Sequence, residues 1–332
     1  MRTLAVLLAL LTASAEAQPH LVFDRKIGNQ WPDDNRWMNF VAFRADGQFV
    51  AANGDGLRLW TFPDGQYVRG VAGETLAISA DFRYLTTEKS ILDLQSGKIV
   101  YTVSGKQDLL LSAAFSVNDE YVAVRSSPHL TKGAQITVLK TADASKVSAF
   151  GTRYAAALAF SPDNQTLATG HWNNVTLWDV RTGARLALLM SPPPPSDAIS
   201  YNRDGRYIYG LAFSRDGTLL AAGSDNAELQ IWDVAARKLL HTLKIGGSDV
   251  SNPAFSPDGK LLAAGTYGNG TVYLVDVASG KILSQVQVSM FGCGAVAFSP
   301  DGRYLITPSN SGLLDNGKHT QGGTIHVFRV EN

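Results

Sequence analysis

LAFSRDGTLLAAGSDNAELQIWDVAARKLLHTL, residues 211–243, reads as four short strands joined by three turns. Residues 211–214 run into a tight turn at Arg215-Asp216-Gly217, where a glycine accepts the positive φ that a hairpin requires. A small, apolar strand at 219–223 follows, then a turn at Asp225-Asn226. An alternating strand ends in Trp232-Asp233-Val234, and residues 239–243 close the unit. One such unit cannot bury both faces by itself, so its fold depends on copies stacked beside it.

The copies are present. Sister units occupy 157–189 and 254–286, and weaker ones recur along the chain. Aligning on the apolar residue before the first turn gives Phe43, Ile78, Phe115, Phe160, Phe213, Phe255 and Phe298, spaced by 35 to 53 residues. An Asp-Gly or Asp-Asn turn recurs behind it at Asp46-Gly47, Asp163-Asn164, Asp216-Gly217, Asp258-Gly259 and Asp301-Gly302. Small residues in the second strand, as in LLAAG at 261–265, allow neighbouring sheets to approach closely, and the anchor aromatics fill the space between sheets.

Repeats of this length, with F-S-P-D-G at 255–259 and 298–302 and L-W-D-V at 177–180, resemble the WD-repeat β-propellers over about 40–330. Trp60, Trp178 and Trp232 stand at that family's Trp position, with Leu92, Leu139, Val275 and Phe328 in the other units. Asp93, Asp179, Asp233 and Asp276 keep the following acid; Thr61, Lys140 and Arg329 do not. The family's Gly-His pair ahead of the first strand is missing from every unit, and Gly170-His171 falls after a second strand instead. The resemblance implies an all-β, seven-bladed propeller with blades starting near 40, 75, 112, 157, 210, 252 and 295. The last unit supplies only three strands, and a spare strand at 21–27 is expected to become its fourth, closing the ring and removing exposed sheet edges.

Residues 1–17 read as a signal peptide: Arg2, an apolar run at 4–11 too short to span a bilayer, and Ala15-Glu16-Ala17 before the expected cut. The expectation is an exported chain, periplasmic or secreted, with one propeller over 18–332 and no transmembrane segment. Equal numbers of acidic and basic residues, 29 of each, offer no basic face for nucleic acid. The single cysteine, Cys293, has no intramolecular mate and reads as a packed thiol.

The extra length collects in loops that, in a WD-type propeller, share one face: 29–37, 125–133, an insertion at about 190–209 opening with prolines 192–195, and 308–322. Long loops on a rigid scaffold are the usual place for binding, and Arg and aromatic residues are the usual anchors. The candidate protein-binding face is Arg36, Trp37, Arg125, His129, Arg153, Tyr154, Trp172, Tyr267 and Phe291. The competing reading for Trp172 and Tyr267 is packing on adjacent loops. The four prolines favour an extended polyproline segment, a stiff spacer with a docking peptide as the alternative. Around the channel, where the innermost strands begin, the positions near Asn39, Glu74, Ser112, Ala156, Gly210, Asn252 and Gly294 offer one carboxylate and no histidine, a poor metal ligand set. No serine-nucleophile or phosphate-loop motif occurs. The reading is a monomeric, non-catalytic protein-interaction platform with no cofactor or metal; the alternative is an enzyme or small-ligand binder at the channel mouth.

Overall fold

The computed structural model describes residues 18–28, 38, 40–53, 56–103, 109–127, 135–151, 155–192, 207–289, 292–309 and 324–331. The expected signal peptide and the prolines at 193–195 lie outside them. Seven four-stranded antiparallel sheets form the blades. Residues 211–243 belong to the fifth: Ile208–Phe213, Leu219–Ser224, Glu228–Asp233 and Lys238–Lys244 in spatial order. The other inner strands are Val41–Phe43, Thr75–Ile78, Leu109–Phe115, Ala157–Phe160, Val250–Phe255 and Ala297–Phe298.

The core is divided among the seven junctions between blades, one apolar cluster to each. This explains why the second strands are apolar throughout rather than alternating. In the fifth blade, Leu220 and Ala222 pack toward the fourth while Ala221 between them packs toward the sixth. A strand buried on both faces has no polar side to show. The small residues are needed where sheets touch. A Cβ on Gly223 would lie 2.4 Å from the Val250 carbonyl oxygen, and one on Gly265 2.5 Å from that of Cys293. Gly223→Ala is therefore expected to cost about 1–3 kcal/mol, against the gain that strand propensity alone would give. A denaturant midpoint at or above the parent's would show that the sheets part freely.

The turns are held by a device repeated in six blades. A Ser hydroxyl after the anchor donates to the side chain two residues on and accepts the N–H five residues on. In the fifth blade Ser214 Oγ lies 2.6 Å from Asp216 Oδ1 and 2.9 Å from Leu219 N. Ser79, Ser116, Ser161, Ser256 and Ser299 do the same. In the first blade Arg44 replaces the serine and pairs with Asp46. The acid after the Trp position has an equally local task. Asp93, Asp179, Asp233 and Asp276 each accept a backbone N–H two or three residues on, fixing the turn to the outer strand.

The ring closes as the sequence predicts. His20–Ile27 pairs antiparallel with Thr324–Glu331 as the outermost strand of the seventh blade. A bulge at Asp24 alters what that strand does. Leu21 packs in the cluster toward the sixth blade, whereas Ile27 packs in the cluster toward the first. One extra residue reverses the facing of everything beyond it, so a single strand serves both neighbours.

Candidate functional site

The inner strands converge on a central cavity of about 570 Å³. Glu74, Ser112, Ala156, Asn252 and Gly294, expected at the channel, line it. So do Leu111, Tyr209, Asp249 and Tyr267, which chain order alone did not bring there. Leu111 and Tyr209 are the exposed apolar surface of this mouth, at 41% and 42%.

Two acids that line this cavity, Glu74 and Asp249, each have a second acid as a neighbour. Glu88, on the loop between the second and third strands of its blade, hydrogen-bonds Glu74; that bond, burial and the Glu74 charge push its carboxyl above the ordinary range. Burial, then the Asp225 charge, does the same to Asp249. A neighbouring carboxylate disfavours the ionised form of Glu88 and of Asp249. The sequence reading counted one carboxylate here. The second pair was missed because Asp225 belongs to a turn and Asp249 to an inter-blade loop, 24 residues apart and joined only by the curvature of the ring.

Of the candidate face, Arg125, Trp172 and Tyr267 are described; Arg36, Trp37, His129, Arg153, Tyr154 and Phe291 lie outside the described residues. The first two are linked through Tyr207, which the sequence reading did not select. The Trp172 and Tyr207 rings stand edge to face with centroids 5.6 Å apart. The Arg125 guanidinium donates to the Ala155 carbonyl; burial lowers its pKa while the Tyr207 hydroxyl opposes that. Tyr207 and Asp225 exchange hydrogen bonds at 2.9 and 3.0 Å, and the Tyr209 ring lies 5.1 Å from that of Tyr207. An arc thus runs from the third blade to the sixth: Arg125, Trp172 and Tyr207, then Tyr209, Asp249 and Tyr267.

The three predicted residues are half-buried, not freely projecting. Tyr267 bridges to Gly292, and burial, then the nearby Cys293 and Asp249, pushes its hydroxyl up to about 12. Loop packing against neighbouring loops is the physical reason. His171 likewise takes a structural position: its Nε2 lies 2.7 Å from Thr169 Oγ1, which accepts the Trp178 indole N–H at 2.8 Å. Cys293 is buried with its thiol 3.3 Å from the Thr271 carbonyl, and burial pushes it up to about 12, so it stays a protonated thiol at neutral pH. Among the described residues no group of three or more His, Cys, Asp or Glu is placed to hold a metal ion.

Seven four-stranded blades around a channel, with Trp-Asp at the end of third strands, define a β-propeller built from WD repeats. Comparison with known proteins agrees. Residues 151–179 match the model described as WD domain, G-beta repeat, and residues 191–318 match that of the eukaryotic translation initiation factor eIF2A. The chain is 33% identical over 132 residues to WD repeat-containing protein VIP3 of Arabidopsis thaliana, covering 35% of this chain and 37% of the relative. It is 23% identical over 245 residues to Autophagy-related protein 16 of Arabidopsis thaliana, covering 68% of this chain and 44% of that protein. It is 28% identical over 172 residues to an uncharacterized WD repeat-containing protein of Synechocystis sp., covering 51% and 44%. The chain spans less than half the length of these relatives. It is a seven-bladed β-propeller whose repeats are similar to those of WD-repeat proteins over part of its length.

Proposed function

We propose that the protein is an exported, non-catalytic interaction platform that engages a protein partner through the channel-mouth face. The observation that carries this is the arc from Arg125 to Tyr267: Tyr209, Asp249 and Tyr267 border the open cavity, and Tyr207, Trp172 and Arg125 continue from them across the neighbouring blades. Rigid aromatic surface set in a polar rim is what protein interfaces use as anchors. The two acid pairs favour a partner that presents a Lys or Arg side chain to the cavity. Export rests on the leader-like residues 1–17, and the periplasm or the exterior is the proposed location.

Partial burial decides the test. Trp172 and Tyr267 support neighbouring loops, so truncating them would confuse binding with stability. Leu111→Asp and Tyr209→Asp change exposed positions instead. Cross-linked capture from an envelope fraction is expected to yield a partner with the parent protein and to fall at least about tenfold with the double variant. Equal capture by both, at matched thermal midpoints, would remove this face from the function. The second reading, a small cationic ligand in the channel, is favoured by the carboxyl pair Glu74–Glu88. It predicts a thermal shift with polyamines or basic amino acids that disappears in Glu74→Gln.

A further inference from the structure

A second concavity, about 710 Å³, lies away from the channel where the last blade meets the first. Arg25, Lys26 and Ile27 of the closing strand form one wall; Arg58, Trp60 and Tyr67 of the first blade form the other. Arg25, Lys26 and Tyr67 sit on the outermost strands of their sheets and Arg58 and Trp60 on the strand next to that of Tyr67, so the groove opens on the flank of the ring.

Its charge is lopsided in a protein whose net charge is zero. Three cations line it beside a single carboxylate, the exposed Asp64. The bulge at Asp24 places Arg25 over the first blade, with its guanidinium 5.5 Å from the centroid of Phe62 and 5.9 Å from that of Tyr304. Stacking of this kind fixes a guanidinium in place before any ligand arrives. Arg25 Nε is buried without a hydrogen-bond partner, and Asp24 is 3.3 Å from its terminal nitrogen. The opposite wall supplies aromatic surface: Tyr67 is 60% exposed and meets Trp60 edge to face. His20–Ile27 and Tyr67–Ala72 are also the outermost strands of their sheets, with no further strand beside either among the described residues; Leu21 N–H at the start of the first donates to Ser284 Oγ at 3.3 Å.

Fixed cations, an exposed aromatic ring and outermost strands along one groove suit an extended chain carrying carboxylates at alternate positions. Three cations are too few for a nucleic-acid backbone, whose binding needs many neutralised phosphates. We propose that this groove binds an acidic, extended peptide segment of a partner protein. Its carboxylates pair with Arg25, Lys26 and Arg58, and an apolar side chain lies against Tyr67.

The test uses the full chain and a defined pool of fluorescein-labelled octapeptides with Asp or Glu at alternate positions and Leu, Val, Thr or Ser between them. The control pool carries Asn and Gln in place of the acids. In polarisation titrations the acidic pool is expected to bind at least about tenfold tighter than the amide pool and to weaken as salt rises. The double variant Lys26→Glu, Arg58→Glu is expected to lose about tenfold or more at an unchanged thermal midpoint. It leaves Arg25 and its ring contacts intact. The Leu111→Asp, Tyr209→Asp variant is expected to bind like the parent, which separates this groove from the channel face. No binding of the acidic pool, equal binding of the amide pool, or an unaffected groove variant would overturn the proposal. So would full displacement by millimolar inorganic phosphate, which would mark a free-anion pocket. Retention on anionic phospholipid vesicles without peptide binding would mark a membrane surface and overturn it as well.

Discussion

A chain lacking residues 18–28 is expected to lose its single cooperative unfolding transition, with a thermal midpoint more than about 10 °C below the parent's. The missing strand is short, but three things go with it. Leu21 and Ile27, at 7% and 2% exposure, leave two different inter-blade clusters, worth about 1.5–3 kcal/mol each by area alone. The ladder from His20–Glu331 to Ile27–Ile325 is lost, and Thr324–Glu331 becomes an open edge on an apolar sheet. Arg25 also leaves the rings of Phe62 and Tyr304, which belong to different blades. In a repeat array each blade is stabilised by its neighbours, and a ring opened at one seam has two unsupported ends. Differential scanning calorimetry of the two chains reads this directly. A synthetic 18–28 peptide added in trans is expected to raise the midpoint again. An unchanged transition in the shortened chain would mean the seam holds without its strand.

That closure was legible because two incomplete facts fit each other: three strands in the last unit and a spare alternating strand near the start. Blade number was legible for a similar reason. The Phe anchor, the Asp-Gly turn and the Trp-Asp strand end are local devices, and local devices survive in a linear reading. The serine at the anchor turn belongs to the same class. It stood in the quoted F-S-P-D-G, but its double hydrogen bond only becomes evident as the same geometry in blade after blade. The bulge at Asp24 was not legible. Leu21, Phe23, Arg25 and Ile27 alternate perfectly, which reads as one face, and only the pairing register shows the face reversing. The site was half legible. Trp172 and Tyr267 read either as binding anchors or as packing on adjacent loops, and both are half-buried against their neighbours. Tyr207, Tyr209, Asp225 and Asp249 went unselected because each is an ordinary loop or strand-end residue on its own. What brings them together is a rotation from blade to blade: the repeat register places the starts of the inner strands at the channel, but not the loop residues that the rotation sets beside them.

The seam also predicts how the protein responds to acid. His326 lies in Thr324–Glu331 between Lys26 and Thr307, 6% exposed, its ring 6.0 Å from that of Phe23. Burial, and then the Lys26 charge, lowers its pKa from the ordinary 6.5 to about 4. Its Nε2 has no hydrogen-bond partner, so protonation gains nothing locally. A depressed folded pKa means that the unfolded chain takes up a proton first. The stability this group contributes is therefore complete above pH 6.5 and is lost as pH falls toward about 4. A difference of this size corresponds to about 3 kcal/mol, a large share of a total that is usually about 5–15 kcal/mol. Other groups act in other windows. Asp93 is held down to about 2 by its hydrogen bond from Arg83, and hydroxyl bonds from Thr182, Ser214 and Ser279 hold Asp179, Asp216 and Asp276 low. Those stabilising contributions are lost only at lower pH, as the carboxylates protonate. Glu88, Asp119 and Asp249, whose values are raised, contribute in the opposite sense, losing stability as pH rises through their range. Subtracting a His326→Phe variant removes all of these common terms. Denaturant unfolding from pH 7 to pH 4 is expected to show the parent losing about 3 kcal/mol relative to the variant, with the difference curve steepest between pH 6 and pH 4.5. Parallel curves would mean that His326 takes up its proton inside the closed ring, and that Lys26 or the bulged strand moves to admit it.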